Sequence, residues 1–407
     1  MKLLKLGAVI CLMTQASFVQ AQILWEENFD SLNTEQWNFD IGNGCPELCY
    51  WGNFEHQYYS QNNVYTDTIP GESGNYGLVI EAKRENLGGM QFTSGRINSK
   101  GKINVKHGLI EVRMRVPDLQ TGLWPAFWLI GANEDEVGWP RSGEIDMMEM
   151  GQKESFRNEQ GHPNSTVNNY VGANLIWYAS AACNDGNPTC AAAIAGDAGF
   201  NKPYEAETPM NDRFIIYRLY WSQNIIRFAV VDDGIEYSLY ESVVNITTGE
   251  LAETFREPFN FVMNMAVGGN FTDSPSPAAV TATMPAKMYI DYIKVSKYSG
   301  VGQVTINGIV VSNEDEEVAP AEFELHQNYP NPFNPSTNIS FTLPTSGKVN
   351  LSVFDIHGRK VSELANRNYA QGTHSIAFDA SGLSSGVYFY ALETNGLRQV
   401  QKMTLIK

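Results

Sequence analysis

The sequence predicts an all-β chain of two sandwiches, one large and one small. Three observations carry this. From Ile23 to about Tyr298, short apolar or alternating runs are separated by Gly, Asn, Asp and Pro. No long 3.6-residue periodicity with helix caps interrupts them. Beyond residue 322 a second set of strictly alternating segments begins. The chain has 407 residues, 43% hydrophobic and 18% charged, which is a globular composition with room for more than one domain.

Residues 1–21 carry Lys2 and Lys5, an apolar run from Leu6 to Met13, and Val19-Gln20-Ala21 with small residues where a signal peptidase reads. This is expected to be a secretory signal, because the run is well short of the roughly 20 apolar residues that span a bilayer. Removing it takes away Cys11 and leaves Cys45, Cys49, Cys183 and Cys190, an even number in an oxidising compartment. Four cysteines permit three connectivities. Pairing near neighbours, Cys45 with Cys49 and Cys183 with Cys190, is the reading preferred here because each bridge closes a short loop.

Residues 22–298 form the first expected domain. Gly77-Leu78-Val79-Ile80-Glu81-Ala82, Leu109-Ile110-Glu111-Val112-Arg113-Met114-Arg115-Val116 and Phe214-Ile215-Ile216-Tyr217-Arg218-Leu219-Tyr220-Trp221 read as its strands. Residues 299–321, with Asn313-Glu314-Asp315-Glu316-Glu317 and Pro320, read as an acidic linker. In 322–407, Asn338-Ile339-Ser340-Phe341-Thr342-Leu343, Val349-Asn350-Leu351-Ser352-Val353, His374-Ser375-Ile376-Ala377-Phe378 and Val387-Tyr388-Phe389-Tyr390 are half-buried strands of a small, immunoglobulin-like sandwich.

Charge and residue usage exclude several functions. Twenty-eight basic against 45 acidic residues leave −17, which repels phosphate backbones and anionic membranes, so nucleic acid is not an expected partner. Before residue 300 the only histidines are His56, His107 and His162, and none has zinc-ligand spacing. Aromatic residues reach 12%, which suits stacking on sugars as well as an ordinary β core.

The segment Trp139-Pro140-Arg141-Ser142-Gly143-Glu144-Ile145-Asp146-Met147-Met148-Glu149-Met150 is the most informative. In a regular strand Glu144 and Asp146 share a face and Glu149 falls on the other. One extra residue, a β-bulge at Met147 or Met148, returns Glu149 to the acidic face. The two Glu Cα atoms then lie roughly 13 Å apart at about 3.3 Å per residue. Inward-leaning side chains can bring the carboxyl groups to the roughly 5 to 5.5 Å of retaining glycosidases. Asp146 would orient Glu144 and help push the site's proton affinities apart. A solvated or calcium-binding acidic face is the competing reading.

With its flanks, Gly122-Leu123-Trp124-Pro125-Ala126-Phe127-Trp128-Leu129 and Trp139-Pro140, this segment resembles glycoside hydrolase family 16, in its bulged, laminarinase-like branch. Trp51-Gly52-Asn53-Phe54-Glu55-His56-Gln57-Tyr58-Tyr59, Thr93-Ser94-Gly95-Arg96-Ile97, Met265-Ala266-Val267-Gly268-Gly269-Asn270 and Tyr289-Ile290-Asp291-Tyr292-Ile293-Lys294-Val295 extend the resemblance over most of 23–298. It implies a concanavalin A-like jelly-roll with a concave substrate cleft. It also implies Glu144 as nucleophile, Asp146 as its assisting acid and Glu149 as general acid/base, with Asn53, Arg96, Trp124, Trp128 and Trp139 lining the cleft. Core packing is the competing reading of each Trp, favoured at Trp128 by its apolar neighbours Phe127 and Leu129. Where related enzymes often have Leu-His-Trp, this chain has Leu175-Ile176-Trp177, so an assisting cleft histidine is absent. The resemblance further implies a structural calcium at Glu27, Gly77 and Asp291, and no cofactor for catalysis.

The motifs Asn328-Tyr329-Pro330-Asn331-Pro332-Phe333-Asn334-Pro335, Asp355-Ile356-His357-Gly358-Arg359 and Ser384-Ser385-Gly386-Val387-Tyr388 resemble the C-terminal sorting domain of type IX secretion substrates. This implies the secretion machinery as a partner and passage through the periplasm to the cell surface or exterior. The expectation is a secreted, monomeric, retaining endo-β-1,3-glucanase without a membrane-spanning segment. The alternatives are action on mixed-linkage glucan or an algal galactan, or a non-catalytic glucan-binding lectin.

Overall fold

The computed structural model describes residues 22–183, 187, 189–194, 203–239, 244–311, 323–343, 347–369, 372–394 and 397–407. The expected signal at 1–21, with Cys11, and the acidic run at 313–317 lie outside these residues. What is described falls into two compact units, one within Ile23–Glu317 and one within Val318–Lys407. Among the described residues no helix is long and apolar enough to cross a membrane.

The large unit stacks two antiparallel sheets. The first, of nine strands, is ordered Ile235–Ser238, Ile225–Asp232, Ile215–Trp221, Gly108–Arg115, Ala286–Ser296, Tyr76–Ala82, Val64–Thr68, with Ile23–Glu27 and Val244–Asn245 attached. The second, of eleven, runs Ala191–Ala193, Tyr170–Tyr178, Glu144–Glu149, Leu123–Gly131, Phe259–Val267, Ile103–Lys106, Gln303–Ile306, Ile309–Val310, with Arg96–Asn98 among its side pairings. Alternation decides which residues face inward. Val112, Leu219 and Ile290 of the first sheet meet Phe127, Leu129, Ile145, Phe261 and Met263 of the second in one core. The opposite, concave face of the second sheet is left for polar and aromatic groups, the arrangement a jelly-roll needs to bind a polymer.

One expected boundary is corrected. Gln303–Ile306 pairs with Ile103–Lys106, and Val304 is fully buried in the large core. Residues 303–310 are therefore part of the sheet and not linker. The alternating run is only four residues long and sits close to the acidic stretch, so its pattern is masked at the level of composition.

The small unit has a three-stranded and a four-stranded sheet over a core that includes Ile339, Phe341, Leu351, Val353, Tyr390, Leu392 and Met403. Tyr388 and Tyr390 both turn into that core, so they offer no exposed aromatic platform. The bridges are Cys45–Cys49 and Cys183–Cys190, the near-neighbour connectivity.

Candidate active site

The strand Glu144–Glu149 lies between Leu123–Gly131 and Tyr170–Tyr178. Its register slips on both sides. Trp128 and Phe127 face Asp146 and Met148, so Met147 is the extra residue. On the other side, Asp146 to Glu149 spans three steps against the two from Asn174 to Gly172. This is the bulge that the acid spacing predicts. Ile145, Met147 and Met148 all enter the core, and Glu144, Asp146 and Glu149 are left together on the concave face.

Each glutamate is held by an indole. Trp139 Nε1 donates to Glu144 Oε2 at 2.9 Å, and Trp124 Nε1 donates to Glu149 Oε1 at 3.1 Å. Trp124 is itself fixed by parallel stacking on Phe271, with ring centroids 4.2 Å apart. Trp139 is 44% exposed and forms a rim, whereas Trp124 is nearly enclosed.

Electrostatics follow from burial of three acids in one place. Desolvation pushes Glu144 up to about 7 and Glu149 up to about 8. Asp146, 4% exposed and between two other carboxyls, is held well above the ordinary carboxylate range, first by burial and then by the charges of Glu144 and Glu149. The interaction of Asp146 with Glu144 holds the former further up and draws the latter down. Glu144 thus receives donors from both Trp139 and Asp146.

Beyond the Trp strand, the concave face carries a polar and aromatic stack. Arg96 lies between the rings of Trp51 and Trp128, its guanidinium carbon 4.7 and 5.0 Å from their centroids, and its Nε is 2.9 Å from Asp40 Oδ2. Trp128 Nε1 donates to Asn264 Oδ1 at 2.8 Å. Core packing of Trp128 is therefore corrected. Its neighbours Phe127 and Leu129 are fully buried, and strict alternation turns Trp128 the other way. Asn53 is exposed in the loop that follows the Cys45–Cys49 bridge, its carbonyl accepting from Asn270 N–H at 2.8 Å. Tyr50 and Trp51 in that loop both adopt left-handed backbone conformations, with φ of 55° and 52°.

Sequence reasoning did not single out Asp40, Phe271, Asn264 or Gln152 as site residues, and had Trp51 only inside a motif. Each joins the site through space, from a separate strand or loop. Ile176, in the place of the missing histidine, sits directly across from Glu144.

The proposed calcium residues do come together. Glu27 ends one strand and Gly77 lies near the start of another, both on the same edge of Ala286–Ser296, with Asp291 between them. Both carboxylates have protein partners, and Gly77 has only its backbone carbonyl to offer. Asp291 accepts from Asn75 and is ion-paired with Arg113, and Glu27 accepts from Phe29 N–H and Trp37 Nε1. Among the described residues no group of three or more His, Cys, Asp or Glu is arranged to hold a metal ion.

Comparison with known proteins agrees with this geometry. Residues 53–207, which include Glu144, Asp146, Glu149, Arg96, Trp124, Trp128 and Trp139, match the model of an XgeA-like catalytic GH16 domain. Residues 327–407 match a secretion system C-terminal sorting domain. The clotting factor G alpha subunit of Tachypleus tridentatus is 33% identical over 303 residues, 73% of this chain and 38% of that protein. The glucan endo-1,3-beta-glucosidase of Cryptopygus antarcticus is 30% identical over 259 residues, covering 61% of this chain and 80% of that one. The first two curated relatives are long proteins, of which the chain spans only 38% and 39%. The laminarinase catalytic domain from Thermotoga maritima is 31% identical over 68% of this chain and 98% of its own, with a TM-score of 0.51. With both glutamates and the intervening aspartate on the concave face of a jelly-roll, and relatives at 30% and 31% identity matched over 80% and 98% of their length, this chain belongs to glycoside hydrolase family 16.

Proposed function

We propose that the protein is a secreted, retaining endo-β-1,3-glucanase acting by double displacement. The observation that carries this reading is the Met147 bulge, which sets Glu144 and Glu149 on one face with Asp146 between them. Glu144 receives two hydrogen-bond donors and is the better-stabilised anion, so it is the nucleophile that attacks the anomeric carbon. Glu149 receives one indole donor and is pushed further up, so it keeps its proton and delivers it to the departing glycosidic oxygen. The resulting glycosyl ester on Glu144 is opened by water that Glu149 deprotonates, restoring both groups and the anomeric configuration. Asp146 holds a proton against Glu144 and orients it. Arg96, Asn53 and Trp128 bind the sugar over the adjacent strands.

The relatives from Cryptopygus antarcticus and Thermotoga maritima support β-1,3-glucan as the polymer. The sorting domain supports export by type IX secretion, across the periplasm to the cell surface or beyond. Reducing-sugar release from laminarin, lichenan, agarose and carrageenan tests the reading, with laminarin expected to be cleaved fastest and into internal fragments. Faster release from one of the other three would replace the substrate, and release from none would replace the enzyme with a binding protein.

A further inference from the structure

Beside the Glu144 end of the acidic strand lies a hollow of about 360 Å3, within the range of small-ligand sites. Arg141 lines it from the segment that leads into Glu144, and Tyr178 from the end of the next strand. Glu250, Glu253 and Glu257 line it from the helix Gly249–Thr254 and the turn that follows. Its place is set by the ladder. Ile176 faces Glu144 across the strands and Trp177 packs toward the large core, so alternation returns Tyr178 to the concave face. Tyr178 is two residues beyond Ile176, roughly 7 Å along the strand at about 3.3 Å per residue. The hollow therefore adjoins the reacting groups along a strand, whereas Trp128 and Arg96 lie across strands from them.

Its walls carry opposite charges that do not meet. The Arg141 guanidinium carbon sits 3.6 Å from the centroid of the Tyr178 ring. Among the described residues it has no ion pair, although three glutamates line the same hollow. Glu250 is held back by the loop after Tyr178, where Ser180 N–H donates to its carboxylate at 2.9 Å. That loop is closed by Cys183–Cys190. The helix packs closely on the approach to Glu144, so that a Cβ at Gly143 would come within 2.3 Å of Thr254 Cγ2. The walls are thus fixed before a ligand arrives. Donors on one side and acceptors on the other, too far apart to satisfy each other, suit a neutral molecule whose hydroxyls do both. An anion would meet the carboxylates, and a cation the guanidinium.

We propose that this hollow is a subsite for a glucosyl branch joined through O6 to the β-1,3-linked main chain. The main-chain linkages use O1 and O3, which leaves the primary hydroxyl at C6 free to carry a side unit. The main chain crosses the strands over Trp128 and the acids, and a side unit that departs from that axis along the strand reaches Arg141 and Tyr178. The guanidinium donates to its hydroxyls and the glutamates accept from them. This rests on the glucanase reading above and deepens it, making a branched glucan the preferred form of the substrate.

The test sets linear laminari-oligosaccharides against the same oligosaccharides carrying one 6-linked glucosyl branch, and reads the ratio of kcat/KM on branched over linear substrate. Wild type should give a ratio of one or more. Arg141→Ala should lower that ratio about tenfold, the worth of a hydrogen bond to a charged group. The double variant Glu253→Ala, Glu257→Ala, on the opposite wall, should lower it by about the same factor. All three side chains are exposed, so their removal spares the core, and the second variant decides the matter if the first folds poorly. A wild-type ratio below one, or a ratio that the folded variants leave unchanged, would overturn the branch subsite while leaving the enzyme reading intact. A wild type that cleaves neither substrate overturns both.

Discussion

The two ends of the acidic strand have the same chemistry and different surroundings. Glu144 sits beneath the exposed Trp139, across from the apolar Ile176, and is drawn down by its interaction with Asp146. Glu149 sits beneath the enclosed Trp124, itself clamped by Phe271, with Gln152 over its shoulder and no second acid bonded to it. The difference teaches how one short strand gives two identical side chains unequal proton affinities. Two donors stabilise a carboxylate more than one does, and a neighbouring charge raises whichever group is less well solvated.

The largest effect that would break this comparison is on turnover. Glu144→Gln should lose about 10⁴-fold or more in kcat on every substrate, since no nucleophile remains. Glu149→Gln should lose about 10²- to 10⁴-fold on laminarin and far less on a dinitrophenyl glycoside, which needs no protonation. Identical leaving-group dependence in the two variants would erase the distinction between the ends.

The indoles give a finer, signed test. Trp139→Phe removes a donor from Glu144, raises the pH at which it ionises, and should move the acidic limb of the pH–rate profile upward by about one unit or less. Trp124→Phe should move the alkaline limb upward by a similar amount, about one unit or less, because Glu149 then holds its proton longer. One substitution narrows the active range and the other widens it. Parallel movement of the same limb in both would show that the donors do not act on separate carboxyls.

The smallest effect is on stability. Glu144 and Glu149 are raised from 4.5 to about 7 and about 8, so the folded chain binds more protons than the unfolded one between these values. Their contribution to stability is complete below 4.5 and is lost as pH rises through the folded values. Between pH 5 and pH 9 the melting temperature of wild type should therefore fall relative to Glu149→Gln, by at least about 3 °C. Parallel curves would mean that Glu149 is not desolvated.

The acidic strand was legible in the sequence because it breaks a rule. Three carboxylates at spacings of two and three cannot share a face in a regular ladder, and that conflict locates the bulge before any coordinate is known. The near-neighbour disulfides were legible because short loops restrict the choice. What stayed hidden lies across sequence distance. Phe271 reaches Trp124 from a loop more than a hundred residues away, and Asp40 reaches Arg96 from another part of the chain. Gln152 is three residues from Glu149, yet its placement depends on a glycine in the next strand. The strand Gln303–Ile306 escaped notice because its pairing partner, Ile103–Lys106, lies two hundred positions earlier.

The added methionine at 147 is also the one residue this strand can lose without turning a carboxyl to the other face. Deleting it would leave glutamate, aspartate and glutamate at every second position, an uninterrupted ladder with all three still on one surface. Loss of that one codon thus alters core volume and keeps the three carboxyls on one face.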